Sequence, residues 1–310
     1  MSRSTILRSA FVCLAVALLS TTAQAQLFRS YVSSTGNDAN PCTVQAPCRL
    51  LPAALAAVKD GGEVWMLDSA NYNTGPVNIT KSVSILAIPG AVGSVVGSGG
   101  DAILINTAGV KVSLRNLKIL NFNAGQFGIR MTNGARLTVA DCEVAGFTAQ
   151  DVAGIYVKTA ADVTIVDTIV RDNNNGIWFD GGARAAVMRA TVTGNSFVGI
   201  FAFPTADSDV RVTVTDSLSS HNRWGFWARG DAASRTAWMT VSRSTATFNS
   251  LQSGFEASGP GAVMIVSGSA ASHNGGGFAH SAVFGSTGDN TVILNSSFDA
   301  SISIVPITPR

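Results

Sequence analysis

Hydrophobic and polar positions along this chain fall into a phrase that returns seven times. Its clearest copy is NGIWFD at Asn175 to Asp180; Gly128, Gly154, Gly199, Gly225, Gly254 and Gly277 lead the others. The gaps run from 22 to 29 residues, a period that marks a solenoid. A second phrase interleaves with the first. It reads VSLRNLKI, LTVADCEV, VTIVDTIV, AAVMRATV, VTVTDSLS, MTVSRSTA, MIVSGSAA and VILNSSFD, beginning at Val112, Leu137, Val163, Ala185, Val212, Met239, Met264 and Val292. Both phrases alternate with period 2, so each predicts a strand with one face inward. A coil should then hold a glycine-led strand, a turn, a second strand, a polar corner and a third short strand.

Stacking such coils at strand spacing turns equivalent positions into columns about 4.8 Å apart. The third position of the second phrase gives an aliphatic column: Leu114, Val139, Ile165, Val187, Val214, Val241, Val266 and Leu294. Its fifth gives Asn116, Asp141, Asp167, Arg189, Asp216, Arg243, Gly268 and Ser296, residue types suited to a corner. Asn173, Asn195, Asn222, Asn249 and Asn274 form another column, preceded by Phe122 and Phe147. Asparagines at a common corner hydrogen-bond from coil to coil, so their expected role is structural.

Ahead of the repeats the pattern changes. Tyr31 to Asp38 reads as a strand entering a turn, and Leu50 to Val58 has helical spacing, with Leu51, Leu55 and Val58 on one face and Gly61 and Gly62 ending it. A solenoid exposes the interior of its first coil, and an amphipathic helix suits the task of capping it. The YVSSTGND opening, the capping helix and the coils of about 25 residues resemble the pectate-lyase-like right-handed β-helix superfamily. The resemblance covers most of the chain after residue 25. It implies an all-β fold, a right-handed parallel β-helix of about ten coils with a short N-terminal capping helix. Residues 26–62 form the strand and cap, and 63–310 the β-helix, as one domain. The superfamily hosts lyases, hydrolases, esterases, epimerases and non-enzymes, so activity does not follow from fold.

Function, on this reading, is written where the copies differ. After each glycine an inward Ile or Phe is followed by an outward residue, giving Arg130, Tyr156, Trp178, Phe201, Trp227, Glu256 and Ala279. Two residues further lie Thr132, Lys158, Asp180, Phe203, Arg229, Ser258 and His280. Aromatic faces stack on sugar rings, and Arg pairs bidentately with carboxylates. The first column therefore predicts a polysaccharide-binding strip: Arg130, Tyr156, Trp178, Phe201, Trp227 and Glu256, with an acidic polymer favoured by Lys158, Arg229 and Arg130. The competing reading has turns such as 204–209 or 228–236 folding over the rings to make a satellite core. If the protein cleaves its ligand by elimination, Lys158 or Arg229 as base with Asp180 as partner is the arrangement expected, and calcium would be the cofactor. Asp180 and Glu256 lie three coils apart, too far to share that ion, and no metal site is assigned. The Asn-Thr-Asp, Asp-Asp, Gly-His-Gly and Asp-Pro-His phrases of related enzymes are absent, which keeps a non-catalytic surface module as the alternative. His280 is a further candidate proton carrier. His221 and His273 are equivalent turn positions before they are ligands.

Composition adds compartment. Met1 to Ala25 has Arg3 and Arg8, an apolar run from Ala10 to Leu19 and an AQA cleavage site, the pattern of a secretory signal peptide. Its removal leaves equal numbers of bases and acids. The expected location is therefore secreted or periplasmic. Cys42 and Cys48 are close enough in sequence to form a disulfide there, while Cys142 reads as a buried free thiol. No basic tail points to nucleic acid, no later segment reaches membrane-spanning length, and nothing fixes the oligomeric state.

Overall fold

The structure, a computed structural model, describes residues 26–205, 208–301 and 304–307. The signal-peptide segment lies outside these residues. Three parallel sheets wind around one core, a long sheet of twelve strands and two of ten. A representative coil runs Asp162–Val166 in the long sheet, Ile169–Arg171 in a short-strand sheet and Asn175–Asp180 in the glycine-led sheet. Each strand pairs only with its equivalents one coil away, so no sheet contains an antiparallel step.

Two sharp corners shape every coil. The first follows the long strand, where Asn116, Asp141, Asp167, Arg189, Asp216, Arg243 and Gly268 all have φ between 45° and 55°. That left-handed conformation favours Gly, Asn and Asp, which accounts for most of the column. The next residue turns inward, and its hydroxyl joins the coils: Ser217 and Ser244 donate N–H to Ser244 Oγ and Ser269 Oγ, both at 3.1 Å. Cys142 occupies the same position and donates its thiol to the Ala140 carbonyl at 3.2 Å. Burial pushes this thiol up to about 12.

The second corner carries the asparagine ladder. Each Asn Oδ1 accepts the backbone N–H of the preceding coil, from Phe147 onto Asn173 through Asn274 onto Asn295. Asp299 closes the ladder by accepting from both the backbone and the side chain of Asn295. Phe147 is buried at its head; Phe122, expected beside it, is 81% exposed instead.

The aliphatic column is buried from Leu114 to Val266, but its last expected member fails. Leu294 is exposed because Thr291–Ile293 pairs with the short-strand sheet; the long-sheet strand of that coil is Val283–Ser286, with Val305–Pro306 pairing beyond it. Apolar alternation alone did not distinguish the two. At the other end, the helix Leu51–Ala57 buries Leu51, Ala54 and Leu55 against the first coil. It passes directly into the strand Val58–Met66, so Gly61 and Gly62 lie within that strand and do not end the helix. The Cys42–Cys48 disulfide is formed beside it. Among the described residues, no helix is long and apolar enough to cross a membrane.

Candidate functional site

Register places the first outward column as expected. Arg130, Tyr156, Trp178, Phe201, Trp227, Glu256 and Ala279 are partners across successive glycine-led strands. What they present to solvent differs from the expected open strip. Tyr156, Phe201 and Trp227 are only 8%, 3% and 6% exposed, and Trp178 is half-buried.

The cause is ring-on-ring packing. Phe127 stacks on Tyr156 at 5.2 Å, Tyr156 meets Trp178 at 4.6 Å, and Trp178 meets Phe201 at 5.7 Å. Phe201 stacks on Trp227 at 4.9 Å and Trp227 on Trp224 at 4.6 Å, with Phe197 edge-on to both tryptophans. Phe203 lies flat against Phe201 and Trp178. Faces that would meet sugar rings already meet one another. The indole donors are also committed: Trp224 to Glu256 Oε2 at 2.8 Å, Trp227 to Ser258 Oγ at 2.7 Å, and Trp178 to the Phe203 carbonyl at 3.5 Å. This is a satellite core on the outside of the sheet, and Trp224, Phe197 and Phe127 belong to it although they lie off the expected column. Their position just before the strand glycines, or just before that residue, was the available signal.

Asp180, the expected acid partner, has its oxygens committed in the same way. It is fully buried and accepts from Tyr156 Oη at 3.2 Å, from its neighbour Gly181 N–H at 2.6 Å and from Thr205 N–H at 2.7 Å, with the Thr205 hydroxyl as a fourth donor. Lys158 Nζ stands 3.9 Å away. A carboxylate so saturated pins the 203–205 turn over Phe201 and Trp178; it has no lone pair to spare for a proton or a metal. Burial, and then the charge of Asp180, hold the Tyr156 phenol well above its ordinary range. Glu256 lies three coils away by register. Among the described residues no three His, Cys, Asp or Glu side chains gather as a metal site would require.

The arginines form the rim. Arg229 holds its guanidinium 4.9 Å over Phe203 and 5.4 Å over Trp227. Arg223 lies 4.7 Å over Trp224, and Arg130 lies 5.1 Å over Phe127. Arg130 donates to Asp101 Oδ2 at 2.7 Å; burial raises that carboxyl above its usual range while Arg130 opposes the shift. Arg223 and Arg229 have no carboxylate within ion-pair distance among the described residues, and both are exposed.

The histidines separate by register. His280 pairs with Ala257, one position short of the Ser258 column, so it does not belong to the second outward column; Ser281 follows it. His221 and His273 both turn the second corner with φ of 54° and 57°, and Phe248 is sandwiched between them at 5.2 and 5.1 Å. Their turn role holds, and the intervening ring keeps them from sharing a ligand atom.

A family model described as "Right handed beta helix region" matches residues 78–217. Among solved structures, a pectate lyase Pel9A superposes with a TM-score of 0.67 at 16% identity, covering 91% of this chain and 80% of that one. A rhamnogalacturonan lyase superposes at 0.51 and 13% identity, covering 81% and 82%. This chain folds as a right-handed parallel β-helix. At these identities the likeness establishes the fold and carries no residue role across. Comparison with curated protein sequences finds no match. The Cys42–Cys48 bridge of the N-terminal segment suggests a location outside the cytoplasm.

Proposed function

We propose that this protein is an exported, non-cleaving β-helix module that holds an acidic polysaccharide on its glycine-led face through arginines laid on an aromatic bed. One observation carries the reading: the Arg229 guanidinium sits 4.9 Å over the Phe203 ring and 5.4 Å over the Trp227 ring, exposed and without a carboxylate partner among the described residues. Contact with two rings holds the guanidinium in place, so less freedom is lost when it grips a carboxylate with two parallel N–H bonds. Arg223 offers a second such group at the start of the same strand, Trp224–Arg229. The buried rings support these cations and do not contact the sugar by their faces.

Cleavage is not part of the proposal because Asp180 is spent on the 203–205 turn, leaving neither Lys158 nor Arg229 an available acid partner. Calcium is not required by it. The signal-peptide pattern and the disulfide support export in this reading.

The test is calorimetric titration with polygalacturonate. Arg229→Ala should weaken binding about tenfold or more, the effect of losing one charge-assisted bidentate contact of roughly 1.5–3 kcal/mol. Arg229→Lys should recover only part, because a point charge lacks the fork. Unchanged affinity in Arg229→Ala would leave the arginine rim without a role. Unsaturated product from a uronate polymer, with or without calcium, would refute the non-cleaving assignment.

A further inference from the structure

A second face of the solenoid carries an arrangement that folding does not ask for. On the outside of the long sheet, register aligns Lys111, Arg136, Asp162, Arg184, Arg211, Trp238, Val263 and Val283, one per coil. Lys111 stands directly beside Arg136, and Arg184 directly beside Arg211. Like charges at opposed positions of neighbouring strands destabilise a sheet. Part of the first corner balances such charges. It alternates Asp167, Arg189, Asp216 and Arg243, and pairs them at 2.7 and 2.8 Å.

The long-sheet column is left unbalanced. Asp162 is taken by Arg184 at 2.8 Å, and Arg211 reaches Asp209 only at 3.5 Å in an exposed pair, a contact worth little. Lys111 and Arg136 are exposed and have no ion-pair partner among the described residues. Trp238 follows Arg211 in the column. It is 41% exposed, and its indole makes neither a ring stack nor a hydrogen bond among the described residues. It borders a shallow depression of about 360 Å³ lined by Arg211, Val212, Thr213 and Thr240. Farther along, Lys111 and Arg136 border another of about 280 Å³ with Ser82, Ser84, Ser113 and Thr138.

We infer that this face is a second glycan track, taking a linear acidic polysaccharide laid along the solenoid axis. Trp238 offers the free ring face that the glycine-led tryptophans do not. Arg211 with Arg184, and Arg136 with Lys111, meet acid groups at the strand spacing of roughly 4.8 Å, close to the length of one sugar ring, and Thr213 and Thr240 meet hydroxyls. Binding would remove the repulsion within each cationic pair. The track shares its ligand class with the glycine-led face but none of its residues.

The experiment titrates the full chain with an oligogalacturonate and reads affinity and tryptophan emission. Trp238→Ala, and separately Arg136→Ser with Arg211→Ser, should each weaken binding about tenfold in an Arg229→Ala background, where the other face is disabled. Quenching of emission should vanish with Trp238→Ala. Thermal unfolding of Arg136→Ser should stay level or rise, since Lys111 loses a repulsive neighbour. The track is overturned if either set binds like its parent, or if Arg136→Ser lowers the unfolding midpoint, which would make that cation structural. Equal binding of a neutral mannan would overturn the charge argument, and displacement by single-stranded DNA at equal charge concentration would overturn the sugar argument. Arg229→Ala that keeps the parent's affinity and number of sites counts against the glycine-led reading and leaves the track standing; loss of all binding there, with Trp238→Ala silent, does the reverse.

Discussion

Asn222→Ala is the substitution that most directly tests what holds the coils in register. Asn222 Oδ1 accepts both the backbone N–H and the side-chain N–H of Asn195, each at 2.9 Å. Its Nδ2 donates to the Val192 carbonyl and to Ser219 Oγ, each at 3.1 Å. Alanine removes all four. The Asn195 backbone N–H, buried between coils, is then left without an acceptor, at about 1–3 kcal/mol. The Asn195 amide retains longer bonds to Val170 and Thr193, so its loss is partial. The two donated bonds add about 1 kcal/mol each. The expected destabilisation is therefore about 3–5 kcal/mol. Equilibrium urea unfolding measures it, with hydrogen exchange at the Asn195 amide as a local readout, because a stack of coils need not unfold in one step. Asn174→Ala, which removes an exposed bond to Ser196 and one accepted from the Asn175 amide, a donor that keeps its bond to the Val152 carbonyl, is the control and should cost less than about 1 kcal/mol. Asn222→Asp separates shape from donor capacity. Its carboxylate still accepts from Asn195 but faces the Val192 carbonyl with an oxygen where an N–H stood. Buried there, its folded pKa should lie above the unfolded value, so the penalty should grow as pH rises through the ordinary Asp range and ease below it. A loss under about 1 kcal/mol in Asn222→Ala, or an Asn195 amide still fully protected, would show that the ladder decorates the corner without holding it.

Other outcomes follow from the same geometry. Cys142, buried and with its thiol pushed up to about 12, should resist iodoacetamide at pH 8 in the folded protein and react in urea; labelling without denaturant would contradict its place in the serine column. Lys118, first, and Arg171 hold the Glu143 carboxyl below the usual glutamate range. Its stabilising contribution is then present above the unfolded pKa of about 4.3 and lost as pH falls through the lower folded value. Glu143→Gln should accordingly unfold at a lower temperature at pH 7 and converge with the parent below about pH 4. Replacing Cys42 and Cys48 together by Ser should cost about 2 kcal/mol, the loop-closure value for so short a loop, and the loss should concentrate in exchange of the N-terminal strand and helix; uniform loss over all coils would place the bridge in a larger role.

The parts of the fold legible from sequence were those repeated in every coil. A corner residue with φ near 50° admits few types, and an Asn whose carbonyl must reach the next coil admits fewer, so Asp167 or Asn195 could be assigned without a structure. The last coil was misread because VILN at Val292 repeats the apolar rhythm of the long strand while pairing with the short one. His280 was placed one position off because counting from Gly277 by the wrong number of steps reverses a side chain's face. The candidate site was legible only as a column. Register follows from local spacing, but exposure of Trp178 or Trp227 depends on a turn 25 residues away in sequence from Asp180, and no local pattern announces that Thr205 will dock there.

That dependence explains why the two outer faces of one solenoid ended so differently. The two longest connections from a glycine-led strand to the next long strand follow Val198–Ala202 and Trp224–Arg229. Where such a loop lands is fixed by what anchors it. Asp180 offers four acceptor interactions at the edge of the glycine-led sheet, and Thr205 takes two of them, drawing Phe203 onto Phe201 and Trp178. The Arg235 guanidinium then donates to the Thr205 carbonyl at 2.9 Å, tying the following loop to the first. Both loops are thus drawn over the glycine-led face. Trp238 lies just beyond that second loop, on the face from which both have been pulled, with its ring open. An Asp180→Asn variant changes this balance at its source: with one carboxylate oxygen replaced by a donor, the Thr205 contacts cannot both survive, and emission from Trp178 should become accessible to acrylamide while that of Trp238, already exposed, should not change. Protection of Trp178 unaltered by Asp180→Asn would mean that ring packing alone closes the face and that the buried carboxylate must be kept for another reason.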